Sequence, residues 1–200
     1  MEKTNNIVFV TGNKGKVESA KKYFEDFDVT FSCCDLSTPE PEVNDIEYIS
    51  KIKVMAAYEK LGVPCIALDA GFYIPAYPNK PNFPGAFVKR ELMDTMGVDG
   101  LLEQMQGVSD RSCYFKECLC YYDGKEFKYF YGYAPGSLST SKQGCDSDKK
   151  WSELWYVFIP SGYTTTFAQM TEQQIENRKG EHSVALKEFA KWYKEKNSGR

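Results

Sequence analysis

The apolar residues fall into short bursts and helix-spaced stripes, and their order predicts most of the architecture. Residues 7–10 (Ile-Val-Phe-Val) form a continuous apolar run that reads as a buried strand. Small polar residues and two glycines follow in Thr11-Gly12-Asn13-Lys14-Gly15-Lys16, and helical spacing takes over at 16–24. A second strand is predicted at 29–33. An amphipathic helix spans 45–61, with Ile46, Ile49, Ile52, Ala56 and Tyr58 approximating one stripe and Lys51, Lys53, Glu59 and Lys60 mostly elsewhere. Gly62 and Pro64 stop that helix. Residues 65–68 make another buried strand, ending at Asp69-Ala70-Gly71.

Beyond a rigid, aromatic-bearing loop with prolines at 75, 78, 81 and 84, helices are predicted at 86–96 and 98–105. Runs at 111–122 and 126–133 flank Asp123-Gly124, which signals a hairpin with a type I′ turn. The polar stretch 132–152 is the longest irregular segment, a candidate lid or mobile insert. A strand at 154–159, a short helix capped by Thr171 and a final helix over about 182–196 complete the chain. Strand–helix alternation combined with a hairpin predicts an α/β protein with a long, twisted mixed sheet and flanking helices. One domain is expected over 1–200, a strand–helix core plus a hairpin lobe around 111–133.

Composition narrows the function. With 42% apolar residues in 200, the chain is long enough for a real core. A net charge of −3 argues against a general nucleic-acid binder yet leaves room for a local basic pocket. No apolar run approaches a membrane span, and no signal-peptide pattern precedes the first strand. Seven cysteines without export signals read as reduced thiols in a cytoplasm. Their spacing does not suit zinc, and His182 is the only histidine.

The candidate chemistry begins at 7–16. A strand, a glycine loop and a helix start present free backbone N–H groups to an anion. Lys14 and Lys16 add charge, and Thr11 and Asn13 add polar side chains. Neither G-x-x-x-x-G-K-[ST] nor G-x-G-x-x-G is present, so an ordinary turn fits these residues as well as a phosphate site does. Glu40 and Glu42 lie in a proline-bounded extended segment, as solvated acids or as ligands of a divalent cation. Asp69 stands at the carboxyl end of a buried strand, where α/β sheets place their chemistry, or caps the following turn. Lys89 and Arg90 are surface charges or a phosphate clamp.

Six blocks in order resemble the inosine triphosphate pyrophosphatase family, the Ham1-like purine nucleotide pyrophosphatases, across nearly the whole chain. They are Thr11-Gly12-Asn13-x-x-Lys16, Asp69-Ala70-Gly71, Pro84-Gly85-Ala86-Phe87-Val88-Lys89, Gly132 with Gly136, Phe158-x-Pro160-x-Gly162, and Thr166-Phe167-Ala168-Gln169-Met170. The resemblance implies that family's fold with a central cleft. It also implies Mg²⁺-dependent hydrolysis of nucleoside triphosphates, noncanonical purines above all, to monophosphate and pyrophosphate, commonly by a homodimer. In that scheme Thr11, Gly12, Asn13 and Lys16 bind phosphates, Lys89 assists, and Lys16 and Asp69 are catalytic. Asp69 with Glu40 or Glu42 holds the metal, and Trp155 and His182 contact the substrate.

The departures from the family pattern cluster at its base-reading end. Leu68 replaces a second acid before Asp69, and Ser152-Glu153-Leu154-Trp155-Tyr156 replaces [FW]-G-[WY]-D-P. Glu176 precedes Asn177 where the family has lysine, and Gly180-Glu181-His182 falls on S-H-R. The changes imply altered or relaxed base specificity. Two alternatives stay open: the same fold acting on another phosphorylated molecule, and a non-catalytic nucleotide-binding protein.

Overall fold

The computed structural model describes residues 7–27, 29–39, 41–148, 150–178 and 183–198. Strands are β1 (Ile7–Val10), β2 (Phe31–Cys34), β3 (Cys65–Ile74), β4 (Phe83–Gly85), β5 (Ser112–Tyr122), β6 (Phe127–Leu138) and β7 (Phe158–Pro160). Helices are α1 (Lys14–Asp26), α2 (Ile46–Leu61), α3 (Gly97–Gln104), α4 (Glu172–Arg178) and α5 (Val184–Ser198). The sheet runs β2-β1-β3-β5-β6-β7, with β4 paired to β3. β1 is parallel to both β2 and β3, whereas β3–β4 and β6–β7 are antiparallel, so the sheet is mixed as expected.

The chain divides into two compact units. Residues 1–70, 117–132 and 183–200 make the first, and 71–116 with 133–182 the second. The hairpin expected as a lobe is shared: 117–132 counts with the first unit and its outer portions with the second.

In the first unit, alternation along β3 separates two layers. Ile66 and Leu68 join Phe9, Phe24, Leu119 and Phe189 beneath α1 and α5. Cys65 and Ala67 meet Ala57 and Val54 of α2 instead. Over Cys65–Leu68, β3 is thus apolar on both sides, the signature of a strand covered by helices on both faces. Asp45 caps α2 by accepting from Glu47 N at 2.9 Å and Tyr48 N at 3.3 Å, and Gly62 ends it at φ 66°. The buried stripe of α2 keeps Ile46 and Ile49 of the one expected and continues through Ser50, Val54 and Ala57 in place of Ile52, Ala56 and Tyr58.

The second unit is built on aromatic packing. Phe72, Phe115, Phe158 and Phe167 form a chain of ring contacts with centroids 4.7–5.8 Å apart. Arg111 closes one edge, its guanidinium donating to the carbonyls of Leu138 at 2.8 Å, Met105 at 3.0 Å and Ser139 at 2.6 Å.

Several local elements differ from expectation for identifiable reasons. The connection 123–126 is a four-residue loop, because the Asp123 carboxylate accepts from Lys125 N and Glu126 N and leaves only Gly124 at positive φ. The strand expected at 154–159 begins late, since Ser152 Oγ accepts from Leu154 N and opens a 3₁₀ turn at Glu153–Tyr156. The helix expected over 86–96 is a π-helical turn at Val88–Met93. The candidate lid is pinned to the second unit: Gln143 N donates to Tyr156 O, Cys145 N to Ala168 O, and buried Thr166 Oγ1 to Gln143 O.

Candidate active site

The first unit gathers its polar groups where β1 and β2 end, beside the middle of β3. The strand expected to stop at Asp69 runs on to Ile74, because Phe72, Tyr73 and Ile74 pair with β4, so Asp69 lies within β3 and not at its carboxyl end. Past Val10 the chain turns sharply, with Thr11 N donating to Cys34 O at 3.0 Å. Thr11 Oγ1 accepts from Asn13 N at 3.1 Å, and Asn13 Oδ1 accepts from Lys16 N at 3.1 Å. Asn13 is therefore the N-cap of α1 and Thr11 braces the loop leading into it. These two side chains shape an exposed helix start that carries no acid in its first turn. Gly12 lies open to solvent on one side; on the other, a Cβ would stand 2.7 Å from the Asp35 carboxylate.

Lys16, one turn into α1, reaches back across the strand ends and donates from Nζ to Leu68 O at 2.7 Å. Its ammonium is thereby fixed at the residue before Asp69. Asp69 belongs to the α2 layer, where its carboxylate meets Lys53 Nζ at 3.5 Å. Both side chains keep 17% exposure, enough for water to reach them. Two cations, one carboxylate and a helix N-terminus thus stand where β1 and β2 end beside the middle of β3, a set of groups able to hold an anion.

Of the residues singled out from the sequence, Thr11, Gly12, Asn13, Lys16 and Asp69 all lie in this group. Glu42 belongs to the same unit and is exposed ahead of the α2 cap. Glu40 and His182 lie outside the described residues, as do Gly180 and Glu181. Lys89 is exposed on the π-helical turn of the second unit. Trp155 departs from its expected role. It is 2% exposed, stacks on Phe167 at 5.4 Å and packs with Leu154 and Phe158 in the core, so its ring face is already covered. Its Nε1–H is buried without a hydrogen-bond partner, the result of a large indole filling apolar space.

Three polar residues of this unit were not singled out as site residues. Lys53 looked like solvated helix surface, and its role follows from the rotated stripe of α2. Asp35 sat in a polar loop with nothing to distinguish it. Glu117 carried a signal: on β5 the alternating positions Cys113, Phe115, Leu119 and Tyr121 are apolar, and Glu117 alone breaks the series. Its Oε1 accepts from Ala185 N at 3.0 Å. Burial pushes its carboxyl above the ordinary range, while the Ala185 N–H and Lys16 favour the ionised form.

A parallel β2-β1-β3 core with a glycine loop, a capped helix start and an acid beside them makes an α/β framework of the kind that can carry an anion site. The chain belongs to the Ham1 family, whose model matches residues 7–192. It is 33% identical over 189 residues to a dITP/XTP pyrophosphatase of Thermococcus kodakarensis, covering 94% of this chain and 97% of that protein. A dITP/XTP pyrophosphatase of Pyrococcus horikoshii is 30% identical over 191 residues, with 94% and 96% covered. Among solved structures, the Staphylococcus aureus Ham1 protein superposes with a TM-score of 0.76 at 20% identity, covering 96% of this chain and all of that one. A HAM1 protein from Coxiella burnetii gives 0.78 at 20%, with 95% and 98% covered. At that identity the solved structures bear on the fold, and they match the mixed α/β sheet with flanking helices.

Proposed function

We propose that this protein is a nucleoside triphosphate pyrophosphatase acting on noncanonical purine nucleotides of the dITP and XTP kind. The observation that carries the reading is the placement of Lys16 Nζ on Leu68 O, beside Asp69 and its Lys53 partner. The α1 N-terminus and Lys16 hold the phosphates; Asp69 orients the attacking water and accepts its proton. Water oxygen bonds to the α-phosphorus, the bond to the bridging oxygen of the β-phosphate breaks, and monophosphate and pyrophosphate leave. Lys53 holds the Asp69 carboxylate in one orientation.

The donor set fits a hard divalent ion. Among the described residues no three His, Cys, Asp or Glu side chains converge, which suits an ion of the Mg²⁺ type that takes one or two carboxylates and completes its shell with water and phosphate oxygens. Asp69 would hold it, with Glu42 or Glu40 as the second carboxylate. Such an ion offsets charge on the departing pyrophosphate.

The altered residues 180–182 and the enclosed Trp155 support a relaxed base preference, since strong rejection of analogues needs dedicated hydrogen-bonding partners. A homodimer accords with the family resemblance, and a cytoplasmic setting with seven cysteines that form no disulfide among the described residues. No helix among the described residues is long and apolar enough to cross a membrane.

Product analysis with ITP, dITP and XTP tests the activity: one pyrophosphate and one monophosphate per turnover are expected, and release of orthophosphate alone overturns the reading. For specificity, kcat/KM for ITP over that for ATP and GTP at equal Mg²⁺ is expected below about a hundredfold. A larger ratio means that the base pocket discriminates fully.

A further inference from the structure

Glu117 is a carboxylate in a layer that is otherwise apolar. It shares its side of β5 with Leu119 and Tyr121, which pack against Leu68 and Phe189. Three elements surround it. From α5, Ala185 N donates to its Oε1 at 3.0 Å. That amide is the second of the helix and has no intrahelical acceptor; Ser183, which precedes the helix, stands at φ 62°. From β6, Gly132 leaves the space the carboxylate occupies, where any Cβ would overlap it. From α1 come Lys16, whose Nζ sits on β3 at Leu68 O, and Tyr23.

Capping α5 does not require a charge, because a glutamine oxygen accepts the same hydrogen bond without the cost of burying an ion. What glutamate adds is its negative charge on the Lys16 side of the sheet. We infer that Glu117 is a positioning residue with two separable duties: it caps α5 from outside, and it acts as the counter-charge that restrains how strongly Lys16 holds a polyphosphate. The inference rests on the polyphosphate-binding role proposed for Lys16. Its consequence is kinetic: pyrophosphate carries the same groups that Lys16 grips, and a site that holds them too tightly releases product slowly. Partial cancellation of the ammonium keeps product affinity in check. Burial raises the Glu117 carboxyl above the ordinary carboxylate range, with the Ala185 N–H and Lys16 acting in the other direction and the Tyr23 hydroxyl facing it from α1. Glu117 therefore loses its charge at a higher pH than an exposed glutamate.

The test measures binding of inorganic tripolyphosphate by calorimetry at one fixed Mg²⁺ concentration, in the wild type, Glu117→Gln and Glu117→Ala. Glu117→Gln is expected to keep the melting temperature and bind about three- to tenfold more tightly, the size of one partly screened charge nearby. Glu117→Ala is expected to show the same tightening with a lower melting temperature; if it does not fold, the glutamine variant carries the test alone. The ratio of wild-type to Glu117→Gln dissociation constants, in which the ligand's own ionisation cancels, is expected to fall towards one as pH drops through the Glu117 pKa. Equal affinity of wild type and Glu117→Gln at every pH overturns the counter-charge and leaves only the cap. A wild type that binds no tripolyphosphate overturns the proposed role of Lys16 and this inference with it.

Discussion

The two units treat their cations differently. In the first, Lys16 ends on a carbonyl within β3 and Lys53 on a carboxylate, with 17% of the Lys53 side chain still exposed. In the second, three arginines are taken up by packing, while lysines such as Lys89 stay on the surface. Arg178 is buried and lies over Tyr163 and Phe167 at 5.2 and 5.5 Å, Arg90 lies 4.0 Å over Phe87, and Arg111 satisfies three carbonyls. A charge that can be lent to a ligand is one whose present partners are weak or solvated. By that measure the proposed chemistry falls to Lys16 and Lys53 of the first unit. The second has turned polar side chains into structure, and the same shift explains Trp155, an indole buried where a substrate contact was expected.

Substitutions can break this contrast. Asp69→Asn should retain the fold and lose at least about a hundredfold in kcat with any triphosphate the wild type cleaves, as for a group that orients water or a metal. Unchanged turnover removes Asp69 from the mechanism and the chemistry from these strand ends. A smaller effect is expected for Gly12→Ala. The new Cβ would stand 2.7–2.8 Å from the Asp35 carboxylate, so the loop or Asp35 must move, at a cost of about 1–3 kcal/mol in thermal or denaturant unfolding. Combining it with Asp35→Ala should return much of that loss; failure to do so would mean that the crowding lies elsewhere. The smallest effect belongs to the second unit. Trp155→Phe removes an unpartnered buried N–H and should shift stability by about 1 kcal/mol or less, with kcat/KM and the ITP-to-ATP ratio unchanged. A tenfold change in that ratio would restore Trp155 to the substrate site.

How much was legible in the sequence follows the same division. The apolar run 7–10, the caps Asp45 and Gly62 and the hairpin strands are local signals, and the structure keeps them. The glycine loop and the start of α1 were legible because their residues are contiguous: Thr11 and Asn13 bond within three positions of themselves. Lys53 was not, since facing Asp69 requires α2 to roll its stripe onto Val54 and Ala57, a choice made by the sheet beneath it. Glu117 was visible as a break in alternation, although its partner Ala185 lies 68 residues away. The strand expected at 154–159 lost its first four residues to a serine-capped turn, a local competition that hydrophobicity does not register.

Lys196 has a consequence for how the protein is made. Near the end of α5, its ammonium bonds Asp123 at 3.3 Å and contacts Glu126, at the tip of a hairpin synthesised some seventy residues earlier. The first unit is thus assembled from the beginning, the middle and the last eighteen residues of the chain. Until α5 is made, α1 is the only one of the two covering helices on the face of Ile66, Leu68, Leu119 and Tyr121. The nascent chain carries part of that apolar surface uncovered until α5 is made, and loss of Lys196 would remove that helix's contacts to the hairpin tip.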